Sequence, residues 1–169
     1  MWPFRRAGKP SRRTILRRAQ ALASQGHADE AAELLAGYCR DHPDDFLALV
    51  NLGATYYALG KYTPAIEQFE KAIQLKPDSA TVWLNLGAAR NALGHIDQAI
   101  EALMRALEID PQRRDVHYNL AIAQAKKGRP LAAMAELELE LAVHPDHKPA
   151  RALAAQLKAS LLPQEGKQA

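Results

Sequence analysis

A repeat of 34 residues is the feature that most constrains the fold of this chain. Three residue types keep this interval through four periods. They are Gly26, Gly60, Gly94 and Gly128; Ala31, Ala65, Ala99 and Ala133; and Pro43, Pro77, Pro111 and Pro145. A fixed period of this length is the signature of a stacked repeat array, in which each repeat buries its apolar face against its neighbours. The pattern therefore favours a binding scaffold over an enzyme built around one central core.

Each period reads as a helix hairpin. Two apolar stretches with helical spacing flank the glycine, and the proline follows the second stretch. Glycine ends a helix easily because it tolerates positive φ, and proline cannot continue one. The predicted repeats are 12–45, 46–79, 80–113 and 114–147. We expect the aspartate after each of three prolines (Asp44, Asp78 and Asp146) to cap the next helix.

The segments outside the repeats have different compositions. Residues 1–11 are predicted to be a basic, flexible arm, 148–162 a capping helix and 163–169 a disordered tail. Near this end, Glu140 replaces the alanine that occupies the equivalent packed position in the two preceding repeats (Ala72 and Ala106). We expect the Glu140 carboxylate either to pair with Arg151 or Lys158 or to point into water.

The middle repeats carry a pattern of large and small residues. The second repeat has Leu49-x2-Leu52-Gly53-x2-Tyr56, Ala65-x3-Phe69 and Pro77, and the third has Trp83-x2-Leu86-Gly87, Ala99-x3-Leu103 and Pro111. Over residues 12–147 the chain resembles the tetratricopeptide repeat (TPR) family. The resemblance implies an all-α fold, a right-handed α-solenoid of four TPR hairpins plus a C-terminal capping helix. It also implies a non-catalytic protein–protein interaction scaffold, adaptor or assembly factor.

The face of each first helix opposite the hairpin contact is the predicted protein-binding surface. The repeat places three asparagines in register on it: Asn51, Asn85 and Asn119. A carboxamide offers one acceptor and two donors, so such a row can bond a peptide backbone. The other predicted binding residues are Tyr57, Leu84, Asn91, Tyr118 and Ile122. In the TPR family this row is similar to the asparagine ladder of the nucleocytoplasmic O-linked sugar transferase, which implies a peptide segment held in a concave groove.

The basic charge is concentrated at the N-terminus. The net charge is +3, yet residues 1–18 carry seven basic side chains and no acid. Six arginines form the predicted basic patch: Arg5, Arg6, Arg12, Arg13, Arg17 and Arg18. Together with Trp2 and Phe4 the patch suits an anionic membrane surface or an acidic partner. A membrane-proximal scaffold is therefore the main alternative function, a nucleic-acid-associated adaptor is less favoured, and self-association through the end repeats stays open.

No motif for catalysis or cofactor binding is recognisable. The glycines are spaced rather than clustered, and the six histidines do not have the spacing of a zinc site. We therefore expect no enzyme activity, no cofactor and no metal. The single cysteine, Cys39, is expected to be a small buried residue, and a chain with one cysteine suits the reducing cytoplasm of a bacterial cell.

Overall fold

The computed structural model describes residues 10–161, and all regular secondary structure in that range is helical. The helices are α1 (Arg12–Ser24), α2 (Ala28–Asp41), α3 (Phe46–Ala58), α4 (Tyr62–Leu75), α5 (Ala80–Leu93), α6 (Ile96–Ile109), α7 (Val116–Lys126), α8 (Pro130–Val143) and α9 (Lys148–Leu161). The predicted all-α fold of four hairpins and a final helix is confirmed. Residues 1–9 of the predicted arm and the whole predicted tail, 163–169, lie outside the described residues, while Ser11 at the end of the arm is the N-cap of α1.

The chain divides into two compact units, with the boundary between Pro77 and Asp78. In the first unit, α1 pairs with α2 and α3 pairs with α4, while α2 packs against α3. In the second unit, α5 pairs with α6 and α7 with α8, α6 packs against α7, and α9 covers α8. Each hairpin thus buries its apolar side against the next hairpin of its own unit.

Close contact inside each middle hairpin requires a glycine. A Cβ added at Gly53 would lie 2.6 Å from Cε1 of Phe69, and one at Gly87 would lie 2.6 Å from Cγ of Leu103. Both large partners are buried. The large and small residues of the sequence pattern therefore meet across the two helices of a hairpin.

The turn inside each hairpin also depends on glycine. Gly94 follows α5 with φ of 87°, and its N–H together with that of His95 bonds to the last carbonyls of the helix. The other periodic glycines, Gly26, Gly60 and Gly128, have positive φ as well. A side chain in this left-handed conformation is strained, which explains why glycine keeps this phase.

The helix caps lie one residue later than the sequence suggested. Asp45, not Asp44, caps α3, and its Oδ1 accepts a hydrogen bond of 3.2 Å from the N–H of Ala48. The N–H of Asp45 bonds to the carbonyl of His42 at 3.2 Å and closes a turn around Pro43 and Asp44. Because that turn uses both residues, the following residue becomes the cap.

The other two predicted caps, Asp78 and Asp146, likewise do not cap the following helix. Ser79 occupies the N-cap position of α5. The carboxylate of Asp146 binds Arg114 at 3.2 Å instead, and a second such pair joins Asp97 of α6 to Lys127. Hydrogen bonding to these cations lowers the pKa of both carboxyl groups below the ordinary value of aspartate.

None of the helices between residues 10 and 161 combines the length and the apolar character that crossing a bilayer requires.

Candidate functional site

In the first unit, α3 has one open side made of apolar, amide and aromatic residues. Leu47, Asn51, Ala54 and Tyr57 follow one another at helical spacing, and all four are exposed. Leu47 is 43% exposed and Tyr57 40% exposed, which is high for large apolar or aromatic side chains. Asn51 and Tyr57 therefore lie on the surface that the sequence analysis assigned to them.

The amide of Asn51 keeps much of its hydrogen-bonding capacity. Its Nδ2 donates to the carbonyl of Leu47, one turn earlier in α3, at 2.7 Å. This bond uses one of the two N–H groups and leaves Oδ1 and the second N–H for another molecule. The same bond fixes the direction of the side chain, so a ligand would meet a pre-oriented amide.

The corresponding side of α1 is basic. Arg13, Arg17 and Gln20 are one period before Leu47, Asn51 and Ala54, and all three are exposed. Among the described residues, Arg13 and Arg17 have no ion-pair partner, whereas Arg12 lies 3.9 Å from a carboxylate oxygen of Asp45. Arg18 is also exposed, and Arg5 and Arg6 fall outside the described residues.

In the second unit, two of the predicted binding residues are interior. Leu84 is 7% exposed and belongs to an apolar cluster with Leu103, Ala106, Val116 and Leu120. Asn91 is 3% exposed, and its Nδ2 donates to the carbonyl of Asn119 at 2.8 Å. In place of an open surface, these positions of α5 meet α6 and α7, so both side chains contribute to packing.

The remaining predicted residues of this unit are half-buried. Asn85 and Ile122 keep part of their surface, and Nδ2 of Asn119 donates to the carbonyl of Asp115 at 2.8 Å. The ring of Tyr118 packs beside the cluster that joins α7, α8 and α9, with its centroid 5.1 Å from that of His147. This unit therefore offers a ligand less open side-chain surface than α3 does.

A buried carboxylate holds the start of α7. Glu140 of α8 is 1% exposed, and its two oxygens accept hydrogen bonds from the N–H groups of Asp115 (3.0 Å) and Tyr118 (3.3 Å). N–H groups at a helix start have no partner within the helix, and the helix dipole favours a negative charge there. Both expectations for Glu140 are therefore wrong. It neither points into water nor pairs with Arg151 or Lys158.

Beside this carboxylate, His147 ties α9 to α7. Its Nδ1 accepts a hydrogen bond from the N–H of Ala150 at 2.9 Å, and its Nε2 lies 2.6 Å from Oδ1 of Asp115. Because a backbone N–H can only donate, the ring proton is on Nε2 and is donated to Asp115. His147 thereby caps α9 with one nitrogen and binds the start of α7 with the other.

Asp115, Glu140 and His147 are also the group of side chains in the described range that comes nearest to a metal site, with ligand atoms within 4.8 Å of one another. Their hydrogen bonds argue against that role. A metal on Nε2 would require the ring proton on Nδ1, where the N–H of Ala150 already points. Nitrogen and oxygen ligands lie about 2.0–2.2 Å from a zinc ion, and tetrahedral geometry then holds two of them farther apart than the 2.6 Å between His147 and Asp115.

Sequence reasoning noticed Glu140 but missed what it does. The sequence signal was the position of Glu140 in its repeat, which is equivalent to that of Ala72 and Ala106 in the preceding repeats (a shared phase). Tyr38 occupies the same phase in the first repeat, and its hydroxyl donates to Oδ2 of Asp45 at 3.1 Å. Both exceptions to alanine thus bond to the start of a hairpin, Tyr38 to that of the next hairpin and Glu140 to that of its own.

Comparisons with known proteins agree with this architecture. A model described as "Tetratricopeptide repeat" matches residues 12–55, and one described as "TPR repeat" matches 53–94 and 89–128. No curated protein sequence matches the chain.

Three solved structures illustrate the similarity in fold. A thermophilic TPR protein of Thermus thermophilus is 26% identical with a TM-score of 0.77, over 89% of this chain and 82% of its own. MamA is 24% identical with a TM-score of 0.74, over 84% and 83%. One chain of the APC/C hetero-tetramer Cut9–Hcn1 is 26% identical with a TM-score of 0.76, over 85% of this chain but 29% of its own.

Proposed function

Because the chain belongs to the tetratricopeptide repeat family, we propose that it is a non-catalytic scaffold that binds a peptide segment of a partner protein. The proposed binding surface is the exposed side of the first helices. Arrays of this kind use their extended helix faces to bind other molecules. One structural neighbour, Cut9, is described in a hetero-tetramer with Hcn1.

The open side of α3 carries this proposal. Leu47 and Tyr57 expose apolar and aromatic surface, and Asn51 between them offers a pre-oriented amide. Residues of this kind on a rigid helix lose little conformational entropy when a peptide binds. The combination suits an extended segment that is bonded through its backbone and packed through an apolar side chain.

The charge on α1 favours an acidic segment. Arg13 and Arg17 are exposed and lack ion-pair partners among residues 10–161. Exposed arginines attract acidic chains and can bind carboxylates through two hydrogen bonds. In the second unit, we propose that the half-exposed amides of Asn85 and Asn119 contact the same class of ligand.

Photo-crosslinking from defined positions tests the proposal. A photoreactive amino acid would replace Asn51 or Tyr57 in the full chain, with exposed Glu67 of α4 as the matched control position. We expect positions 51 and 57 to cross-link to one shared segment of one protein, and position 67 not to do so. Equal cross-linking from all three positions, or products without a shared segment, would contradict the proposal.

The cross-linked segment, made as a synthetic peptide, then serves in a titration. We expect the variant combining Asn51→Ala, Asn85→Ala and Asn119→Ala to fold and to bind at least about tenfold more weakly, since each of the three amide bonds contributes about 0.5–1.5 kcal/mol. Glu67→Ala is the control. An unchanged dissociation constant in the triple variant would remove the amides from the binding surface.

An anionic membrane surface is the second candidate partner, and the exposure of Arg13, Arg17 and Arg18 on α1 supports it. Each basic side chain near such a surface contributes about 1 kcal/mol. If the arm and α1 tether the chain, it should pellet with vesicles that contain phosphatidylserine. Changing the three arginines to glutamine should then release it, and failure to pellet at low salt would reject this candidate.

A further inference from the structure

The first unit contains a second concave feature, which the proposed function does not use. A cleft of about 360 Å³ lies among α2, α3 and α4. Its apolar wall includes Leu49 and Leu52, both of which are buried, and Cys39 lines it from α2. Two cations, Arg40 and Lys71, and the amide of Gln68 also line it.

The cleft lies at a repeat position where the first repeat has a small residue, Cys39. At the phase of Cys39, the later repeats carry the larger side chains of Ile73, Leu107 and Leu141. Burial raises the pKa of the Cys39 thiol to about 11, so the thiol is protonated at neutral pH and is a poor nucleophile. Its contribution to the cleft is therefore space rather than covalent chemistry.

The polar side chains of the cleft have no partner among the described residues. Gln68 is 8% exposed, and its amide has no hydrogen bond to any described residue. The amide atoms are not sealed from solvent, so a molecule in the cleft can bond to them. Arg40 and Lys71 likewise have no ion-pair partner in the range 10–161, and no residue lining the cleft is acidic.

The corresponding region of the second unit differs. The residues at the phases of Leu49 and Gln68 are His117 and Glu136, and they bind each other at 2.8 Å. The phase of Arg40 is occupied by Glu108, which pairs with Arg105. Cations and an unpaired amide beside an apolar wall are therefore a property of the cleft in the first unit.

We propose that this cleft is a binding site for a carboxylate attached to an apolar group of about the size of a leucine side chain. Arg40 and Lys71 would bind the carboxylate, and Gln68 would donate a further hydrogen bond to it. Leu49, Leu52 and the space beside Cys39 would receive the apolar group. Such a ligand is either a free carboxylic acid or the C-terminal residue of a peptide.

The site is tested by titrating the isotope-labelled full chain with defined probes and monitoring the NMR shifts of its amide groups. The free-acid probe is hexanoate, with hexanamide and acetate as controls that lack the charge or the tail. The peptide probe is acetyl-Ala-Ala-Leu with a free C-terminus, and its C-terminal amide is the control. We expect hexanoate or the free peptide to shift the amide signals of Cys39 and Gln68, with a dissociation constant on the order of 1 mM. The one that binds more tightly identifies the source.

Three variants test the assignment of the residues. Arg40→Gln and Lys71→Gln should each weaken the better probe about tenfold, as expected for a hydrogen bond to a charged group. Lys158→Gln removes a positive charge from exposed surface of α9, outside the cleft, and should leave binding unchanged. Cys39→Leu restores the side-chain size of the other repeats and should abolish binding while thermal unfolding shows an intact fold.

Several results would overturn the proposal. One is that neither acid shifts these signals at concentrations up to about ten times the expected dissociation constant. Another is that an acid and its amide bind equally well. A third is that the Arg40 and Lys71 variants bind as tightly as the parent chain. Because the peptide-binding surface of α3 is tested by cross-linking from other positions, failure of either proposal leaves the other standing.

Discussion

Gly87 is where the packing of a hairpin depends most directly on one residue. Its absent Cβ would lie 2.6 Å from Cγ of Leu103 and 3.2 Å from the carbonyl oxygen of Ala99. Gly87→Ala should therefore destabilise the chain by about 1–3 kcal/mol, because the backbones must move apart. Urea unfolding followed by circular dichroism measures the change.

Gly37 of α2 provides the matched control for this substitution. A Cβ there would meet only a guanidinium nitrogen of Arg40, at 3.8 Å. Gly37→Ala should leave stability unchanged or raise it by up to about 1 kcal/mol, since alanine is the better helix former. Equal destabilisation by both substitutions would mean that close helix contact is not the reason for the glycine phase.

Glu140 should be the most sensitive acidic residue of α8. Glu140→Ala leaves the N–H groups of Asp115 and Tyr118 buried without their acceptor. Each loss of this kind costs about 1–3 kcal/mol, so the urea midpoint should fall clearly. Exposed Glu138→Ala is the control and should change stability by less than about 0.5 kcal/mol. Similar midpoints for the two variants would contradict the capping role.

At the scale of the helix, the start of α3 is set by Asp45. Asp45→Ala removes the acceptor for the N–H of Ala48 and should cost about 0.5–2 kcal/mol. Asp44→Ala, in the turn before it, should have little effect, which thermal unfolding of the two variants would check. The reverse order of effects would restore the cap that the sequence suggested.

Most elements could be predicted because their determinants are local. The glycine turns and the proline stops keep one phase, so the helices of each hairpin followed from the spacing alone. The caps did not, because the turn from His42 to Asp45 closes through a backbone bond that no side-chain pattern reveals. The capping of α7 by Glu140 also escaped prediction, since its acceptor comes from another helix, far along the chain.

The candidate binding surface could be predicted only in part, for a related reason. Register indicates which side of a helix a residue occupies, and it placed Asn51 and Tyr57 on an exposed side. It does not indicate how far the next hairpin covers that side. Val116 and Leu120 of α7 pack with Leu84, and Asn119 accepts a bond from Asn91, so these two positions of α5 became interior.

At the scale of the molecule, acidification should lower the stability of the second unit against unfolding. The pKa values of Asp97 and Asp146 are lowered by Lys127 and Arg114. Their stabilisation is fully present above the unfolded value of about 3.9 and is lost as the pH falls through the lower folded values. Urea midpoints from pH 6 down to pH 2 should therefore decline more steeply for the parent chain than for the double variant Asp97→Asn, Asp146→Asn. Parallel curves would show that these pairs contribute nothing to the pH dependence.

The two exceptions to alanine at the phase of Ala72 and Ala106 bear on how such a chain can change its length. Tyr38 and Glu140 are each bonded within their own unit, to the hairpin start at Asp45 and at Asp115. Neither bond involves the stretch between Ala72 and Ala106, which equals one period. Duplication or loss of that stretch would leave the residues of both bonds in the sequence, so we expect a variant with one middle repeat more or fewer to keep them.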